Sequence, residues 1–212
     1  MRKKYQLPAF AKLENINIDL ERLRHSVDLL ASNYVDVMTA NPKLCDYHPQ
    51  LVNSVYDNFE QINLTEHNGK QPLEDIPTNV RDRIKRNRSA KEEGFFNKPT
   101  KEYTGSYFEE IVSQFSHTAM RVRITKLAPG KQVPLHIDYD PSYATRIIIP
   151  VYSNHAVVNK FVVKKESVET YFEPGSAWFL NTGFAHGVFN NSDQPRIALM
   201  FSIDGQDDLV GI

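Results

Sequence analysis

RVRITKLAPGKQVPLHIDYD, residues 121–140, holds two strand patterns joined by a turn. With Met120 just before it, Val122 and Ile124 alternate against Arg121, Arg123 and Thr125, the two-residue period of a half-buried strand. Pro129-Gly130-Lys131-Gln132 carries turn chemistry, and Val133 to Asp140 reads as the next short strand. Toward the C-terminus the pattern repeats in YATRIIIPVYS (143–153), HAVVNKFVVKKE (155–166), VETYFE (168–173), SAWFLNT (176–182), AHGVFNNS (185–192) and RIALMFSID (196–204). About eight short strands at regular spacing, punctuated by turn residues, argue a sandwich or barrel. Strands this short favour a two-sheet jelly roll over an open sheet. Just upstream, YFEEIVSQF (107–115) reads as a short helix.

The N-terminal half has a different period. Ile18, Leu20, Leu23, Val27, Leu30, Tyr34 and Val37 recur at three- and four-residue steps, which predicts a one-faced helix from Asn17 to about Ala40, starting near Asn17 or Asp19. Residues 41–79 are broken by Pro42, Pro49, Pro72 and Pro77, and the run from His48 to Leu64 fits a short helix or an extended segment equally. Residues 81–102 are rich in charge. Their cluster Arg81, Arg83, Lys85, Arg86 and Arg88 reads as a solvated face rather than a nucleic-acid contact, and Gly94-Phe95-Phe96 as part of a mobile flap over a site. The organisation expected is an N-terminal helical and irregular extension, 1–106, packed on a β core, 107–212, in one compact domain.

Bulk properties narrow the function classes. The 212 residues suffice for one self-supporting core, and a net charge of -1 disfavours duplex nucleic acid as a dominant partner. The single cysteine, Cys45, excludes an intrachain disulfide and a cysteine-based zinc site. No apolar run has the length of a membrane span, so a cytoplasmic protein without a membrane partner is expected.

The chemistry-bearing residues are few. His136 and Asp138 are two apart, so on a strand both would leave the same face, with Ile137 pointing the other way into apolar packing. His186 follows fifty residues and four strands later, a spacing that lets it return from the facing sheet. Two imidazoles and one carboxylate suit Fe(II) held on one face, the remaining positions being open to a co-substrate and dioxygen. Arg196, ten residues beyond, opens the last strand, with Ala198 and Met200 on its face. A small neighbour leaves room for a ligand, and a guanidinium grips a carboxylate with two parallel hydrogen bonds. Charge closes too: Fe(II) with Asp138 and Arg196 balances the two negative charges of 2-oxoglutarate.

With these pieces the stretch from Arg121 to Asp204 resembles the double-stranded β-helix oxygenases, in particular the aspartyl/asparaginyl β-hydroxylase group and the bacterial proline hydroxylases. The matching pieces are RVRITKLAPGKQVPLHIDYD, TRIIIPV, PGSAWFLNTGFAHGVFN and PRIALMF. The resemblance implies a cupin-like double-stranded β-helix with His136, Asp138 and His186 as iron ligands. It implies Arg196 as the partner of the distal 2-oxoglutarate carboxylate, and dioxygen as co-substrate. Because Asp138 is present, the proline-hydroxylase-like branch fits better than the animal aspartyl hydroxylases, and hydroxylation is expected rather than halogenation.

Arg146 matches a position where such relatives place a basic residue near co-substrate or substrate; a surface strand arginine is the alternative. Arg123 is a candidate for a substrate carboxylate, and Arg121, on its face, is an equivalent one; on an exposed face both would be solubility charges. A free amino acid is the first choice of substrate and a residue in a protein or peptide the second. A non-catalytic cupin-like module binding a metal or small molecule is the competing class. Trp178 reads as core or pocket wall, Asn181 and Thr182 as loop-shaping, and Tyr139 and Asp140 as either substrate contacts or turn chemistry.

Overall fold

The computed structural model describes residues 1–36, 59–68 and 93–212. Eight strands form the barrel: β6 (Ala119–Leu127), β7 (Gln132–His136), β8 (Thr145–Tyr152), β9 (Val157–Val163), β10 (Glu166–Thr170), β11 (Ala177–Leu180), β12 (Ala185–Asn190) and β13 (Arg196–Ile203). Six of the seven steps along the chain pass directly to the other sheet or return from it, the exception being the β9–β10 hairpin. One sheet contains β11-β8-β13-β6 and the other is β10-β9-β12-β7, all pairs antiparallel. This is a double-stranded β-helix, mainly β with flanking helices, as the strand spacing predicts.

The larger sheet gains strands from the N-terminal region on both sides. β1 (Phe10–Leu13) pairs with β11, and β3 (Phe59–Asn63) pairs with β6, with the two-residue β2 (Val35–Asp36) outside it. A small separate pair, β4 (Thr65–Glu66) and β5 (Lys98–Pro99), leads back toward the barrel. The outer face of the larger sheet is covered by α1 (Leu20–Asp28) and α2 (Tyr107–Val112). Leu23, Val27, Phe108 and Ile111 share one core with Ile147, Ile149, Leu199 and Phe201. β8 is therefore buried on both faces, which is why TRIIIPV is nearly continuous in apolar residues. The inner face packs Ile148, Ala198 and Leu180 against Phe161 and Phe172. Ala198 is thus walled in by apolar side chains.

Three expectations are corrected. The N-terminal helix begins one residue after its cap, Asp19, which accepts from the Arg22 amide at 3.0 Å, but it stops at Asp28. A 3-10 turn, Ala31–Asn33, follows, and Val35 and Asp36 pair with Gln61 and Glu60 instead. Joining a sheet edge satisfies those backbone groups better than a lone helix end. The residues from Val37 to Ala40 lie outside those described, as do the undecided run up to Asn58 and the basic cluster Arg81–Arg88. Second, β7 ends at His136, so Asp138 is past the strand. Third, Ile137 is 43% exposed rather than packed, because β7 is the outer strand of its sheet among the described residues.

Gly94-Phe95-Phe96 is tied down on its described side. The Phe95 carbonyl accepts from the Asn68 amide at 2.7 Å, and the Phe96 carbonyl from the Arg121 amide at 2.7 Å and Thr65 Oγ1 at 2.9 Å. The His67 ring lies against both phenylalanine rings. No helix among the described residues is long and apolar enough to cross a membrane.

Candidate metal centre

His136 and His186 face each other across the β7–β12 ladder, ring centroids 4.3 Å apart. Gly187 permits that approach: a Cβ there would meet the Val133 carbonyl oxygen at 2.7 Å. The ladder is irregular between His186 and Val188. Each imidazole is oriented by its own backbone. His136 Nδ1 donates to the Pro134 carbonyl at 2.8 Å and His186 Nδ1 to the Phe184 carbonyl at 3.0 Å. With Nδ1 carrying the proton, a neutral ring presents the Nε2 lone pair. Both Nε2 atoms turn to Asp138, at 3.6 Å from Oδ1 for His136 and 3.9 Å from Oδ2 for His186. Among the described residues these three form the one group able to hold a metal, their ligand atoms all within 4.8 Å.

Two loops are cross-tied to keep Asp138 there. Its amide donates to the Thr182 carbonyl at 3.1 Å, and Thr182 Oγ1 donates to the Tyr139 carbonyl at 3.0 Å. Asn181 fastens the same loop to the N-terminus, donating to the carbonyls of Lys4 at 2.9 Å and Pro8 at 3.0 Å. Asn181 and Thr182 therefore shape the loop, as expected. Asp140 is turn chemistry, accepting from the Ser142 and Lys4 amides.

Protonation favours metal binding. Burial pushes the His186 pKa down to about 4, so the ring is neutral at pH 7. Burial opposes ionisation of Asp138, but the two imidazoles beside it, where protonated, and the Arg146 guanidinium outweigh it and hold the carboxyl at about 2. Two imidazoles, each with its Nδ1 engaged, and one carboxylate fit a ferrous ion with open positions.

The four arginines anticipated near the site all sit on or beside the barrel interior, in unlike surroundings. Arg146 is buried and bound by Glu93, a residue the sequence did not single out. Arg146 Nη2 lies 3.3 Å from Glu93 Oε1 and 3.7 Å from Asp138 Oδ2, and it donates to the Tyr139 hydroxyl at 2.8 Å. Arg121, at φ +51, pairs with Glu93 at 2.7 Å. Burial works against the Glu93 charge, yet Arg146, Arg121, Arg123 and the Ser202 hydroxyl hold its pKa at about 2.

Arg123 and Arg196 differ. Both are buried, and among the described residues neither is ion-paired to a carboxylate. Arg123 Nη1 donates to the Arg121 carbonyl at 3.1 Å, and Arg196 Nη1 to Thr125 Oγ1 at 3.3 Å. Burial pushes the Arg196 pKa down to about 10 with no charge offsetting it, and that of Arg123 down to about 9. A guanidinium stays protonated in practice, so the cost of burying these charges is available to a bound anion. Trp178 is half-buried, stacked on Phe172 at 4.5 Å, and lines the core.

Fold and triad together define the class: a double-stranded β-helix with two histidines and a carboxylate gathered where they could hold a metal. The sequence matches the family described as Aspartyl/Asparaginyl beta-hydroxylase over residues 97–205, just over half the chain. The chain belongs to that family, and is a hydroxylase by that membership. Among solved structures it is similar to a 2OG-Fe(II) oxygenase family oxidoreductase from Burkholderia pseudomallei, at TM-score 0.41 and 14% identity, covering 69% of this chain and 68% of that one. It is also similar to a cupin domain from Bordetella pertussis, at TM-score 0.33 and 18% identity, covering 41% of this chain and 82% of that one. Comparison with curated proteins gives no match.

Proposed function

We propose that this chain is an Fe(II)- and 2-oxoglutarate-dependent dioxygenase that hydroxylates a small substrate, in the first place a free amino acid. His136, Asp138 and His186 hold the iron, and Arg196 holds the distal carboxylate of 2-oxoglutarate. The observation that carries this reading is Arg196: a buried cation, without an acid partner among the described residues, on an inner strand of the barrel that gathers the triad. A structural arginine would have its own carboxylate, and a binding module would have no need of a co-substrate anchor.

Bound iron, with dioxygen and 2-oxoglutarate, supplies the oxidising chemistry. The chain's own residues do the placing. The Pro134 and Phe184 carbonyls fix the imidazole tautomers, Thr182 and Tyr139 fix the Asp138 loop, and Arg196 sets the end of the co-substrate, which together orient the reactants before reaction. Arg123 is the candidate for the substrate's carboxylate, since it is buried and forms no close ion pair among the described residues, Glu93 offsetting only part of its charge.

A residue in a peptide is the second reading, favoured by β7. That outer strand carries exposed Leu135 and is followed directly by exposed Ile137, a surface an extended peptide could line. The test is Fe(II)-dependent conversion of 2-oxoglutarate to succinate, run against free amino acids and against peptides, with His136→Ala as control. Stimulation by amino acids supports the first reading, and stimulation by peptides alone replaces it with the second. Absence of metal-dependent succinate with every substrate would favour the cupin-like binding module.

A further inference from the structure

We propose that Glu93 is a positioning residue for the metal centre, holding Arg146 away from full pairing with Asp138 so that the Asp138 carboxylate is free to ligate. This rests on the reading of His136, Asp138 and His186 as metal ligands.

The geometry is a closed ring of four buried side chains from four separate parts of the chain. Glu93 Oε1 accepts from Arg146 Nη2 at 3.3 Å. Arg146 Nε and Nη2 donate to the Tyr139 hydroxyl at 3.1 and 2.8 Å. The Tyr139 and Ser202 hydroxyls are 2.7 Å apart, and Ser202 Oγ donates to Glu93 Oε2 at 2.9 Å, which closes the circuit. Tyr139 directly follows Asp138, and Arg146 Nη2 reaches to 3.7 Å from Asp138 Oδ2. The same guanidinium nitrogen is thus shared between two carboxylates, with Glu93 the nearer.

The consequence follows from charge. With Glu93 ionised, the Arg146 charge is met inside the ring, and Asp138 keeps its lone pairs for a cation. Without it, a buried guanidinium has Asp138 as its nearest remaining carboxylate among the described residues. It would then compete with the metal for that ligand and repel the metal through an unbalanced positive charge. Glu93 lies four residues before the family match, which begins at residue 97. It sits where the turn 93–96 meets the barrel, anchored through the Phe96 carbonyl to Arg121 and Thr65.

The test is Co(II) binding, followed by calorimetry and by the visible d–d absorption of the bound ion. Glu93→Gln should weaken Co(II) binding by about ten- to a hundredfold, the range expected when an outer partner of a metal ligand is lost. Glu93→Gln combined with Arg146→Gln should recover affinity to within about threefold of the parent, because the competitor is removed with its counter-ion. A purely structural role for Glu93 would make the double variant weaker than the single one, and that result overturns the proposal, as does unchanged affinity in Glu93→Gln. Should Glu93→Gln not fold, Tyr139→Phe carries the test: it keeps the ring's volume, removes the acceptor of two Arg146 N–H groups, and should weaken Co(II) binding by about three- to tenfold. Unchanged affinity there also overturns it. If the parent protein binds Co(II) no better than His136→Ala does, the reading of the metal centre fails, and this proposal with it.

Discussion

At one end of β13, beside Ser202, the Arg146 guanidinium meets a carboxylate, a phenol and a share of Asp138. At the other end, six residues and about 20 Å away along the strand, Arg196 is equally buried and meets a single threonine hydroxyl. Burying a charge costs stability unless a partner offsets it. The Arg146 end meets that requirement within the protein. The Arg196 end leaves it unmet among the described residues, which supports the binding role proposed for Arg196.

The comparison breaks most visibly at the closed end. Glu93→Ala takes from the buried Arg146 its nearest carboxylate and should cost about 3–5 kcal/mol of folding stability. Urea unfolding measures it, and a loss under about 1 kcal/mol would mean that water or rearrangement already meets those charges.

The same carboxylate should give the closed end a pH signature. The arginines around Glu93 hold its carboxyl at about 2 in the folded protein, below its ordinary 4.5. A depressed acid contributes stability above its unfolded pKa, and that contribution is lost as pH falls through the folded one. The stability gap between the parent and Glu93→Gln should therefore shrink, by on the order of 3 kcal/mol, between about pH 4.5 and pH 2. A gap that stays constant across that window would show that folding does not lower the Glu93 pKa, and that the arginines do not stabilise its charge.

How much of this contrast the sequence reveals depends on whether its cause is local. The strand alternation, the turn at Pro129-Gly130 and the parity of Arg123, Thr125 and Arg196 are properties of adjacent residues, and the barrel follows from them. His136 and His186 were legible from residue type and order, but their route together was not: β7 and β12 are hydrogen-bonded neighbours in one sheet, not strands of facing sheets as the spacing suggested. Glu93 was not, since it sits in a charge-rich run, KEEGFF, where nothing within reach along the chain distinguishes the acid that turns inward. Charge counting was the available signal: Arg123, Arg146 and Arg196 share inner-facing parity, Asp138 is one acid among them, and a second was owed. The truncated helix and the exposed Ile137 failed for the converse reason. There the apolar pattern was local, but the edges of the sheets decided the outcome.

The open end should respond in the opposite way. Arg196→Met removes an unbalanced buried cation, so the ligand-free protein should change in stability by less than about 1 kcal/mol, or gain. What it should lose is ligand-linked stabilisation. With Mn(II) present and 2-oxoglutarate at a hundred times its dissociation constant, the parent should gain about 2.7 kcal/mol, and the variant at the same concentration close to none. Equal stabilisation of both proteins would remove Arg196 from the co-substrate site.

Arg196→Lys is the finest probe, because it keeps the charge and changes only its shape. A lysine places a compact ammonium where the guanidinium offered two parallel donors, and its shorter reach changes the distance to a distal carboxylate. Losing one charge-assisted hydrogen bond of about 1.4 kcal/mol raises a dissociation constant about tenfold. The KM for 2-oxoglutarate should rise by about that factor, while Co(II) affinity at the triad stays at the parent value. A rise in KM accompanied by weaker Co(II) binding would mean that the two ends of β13 are coupled, and the division between a closed structural end and an open ligand end would not hold.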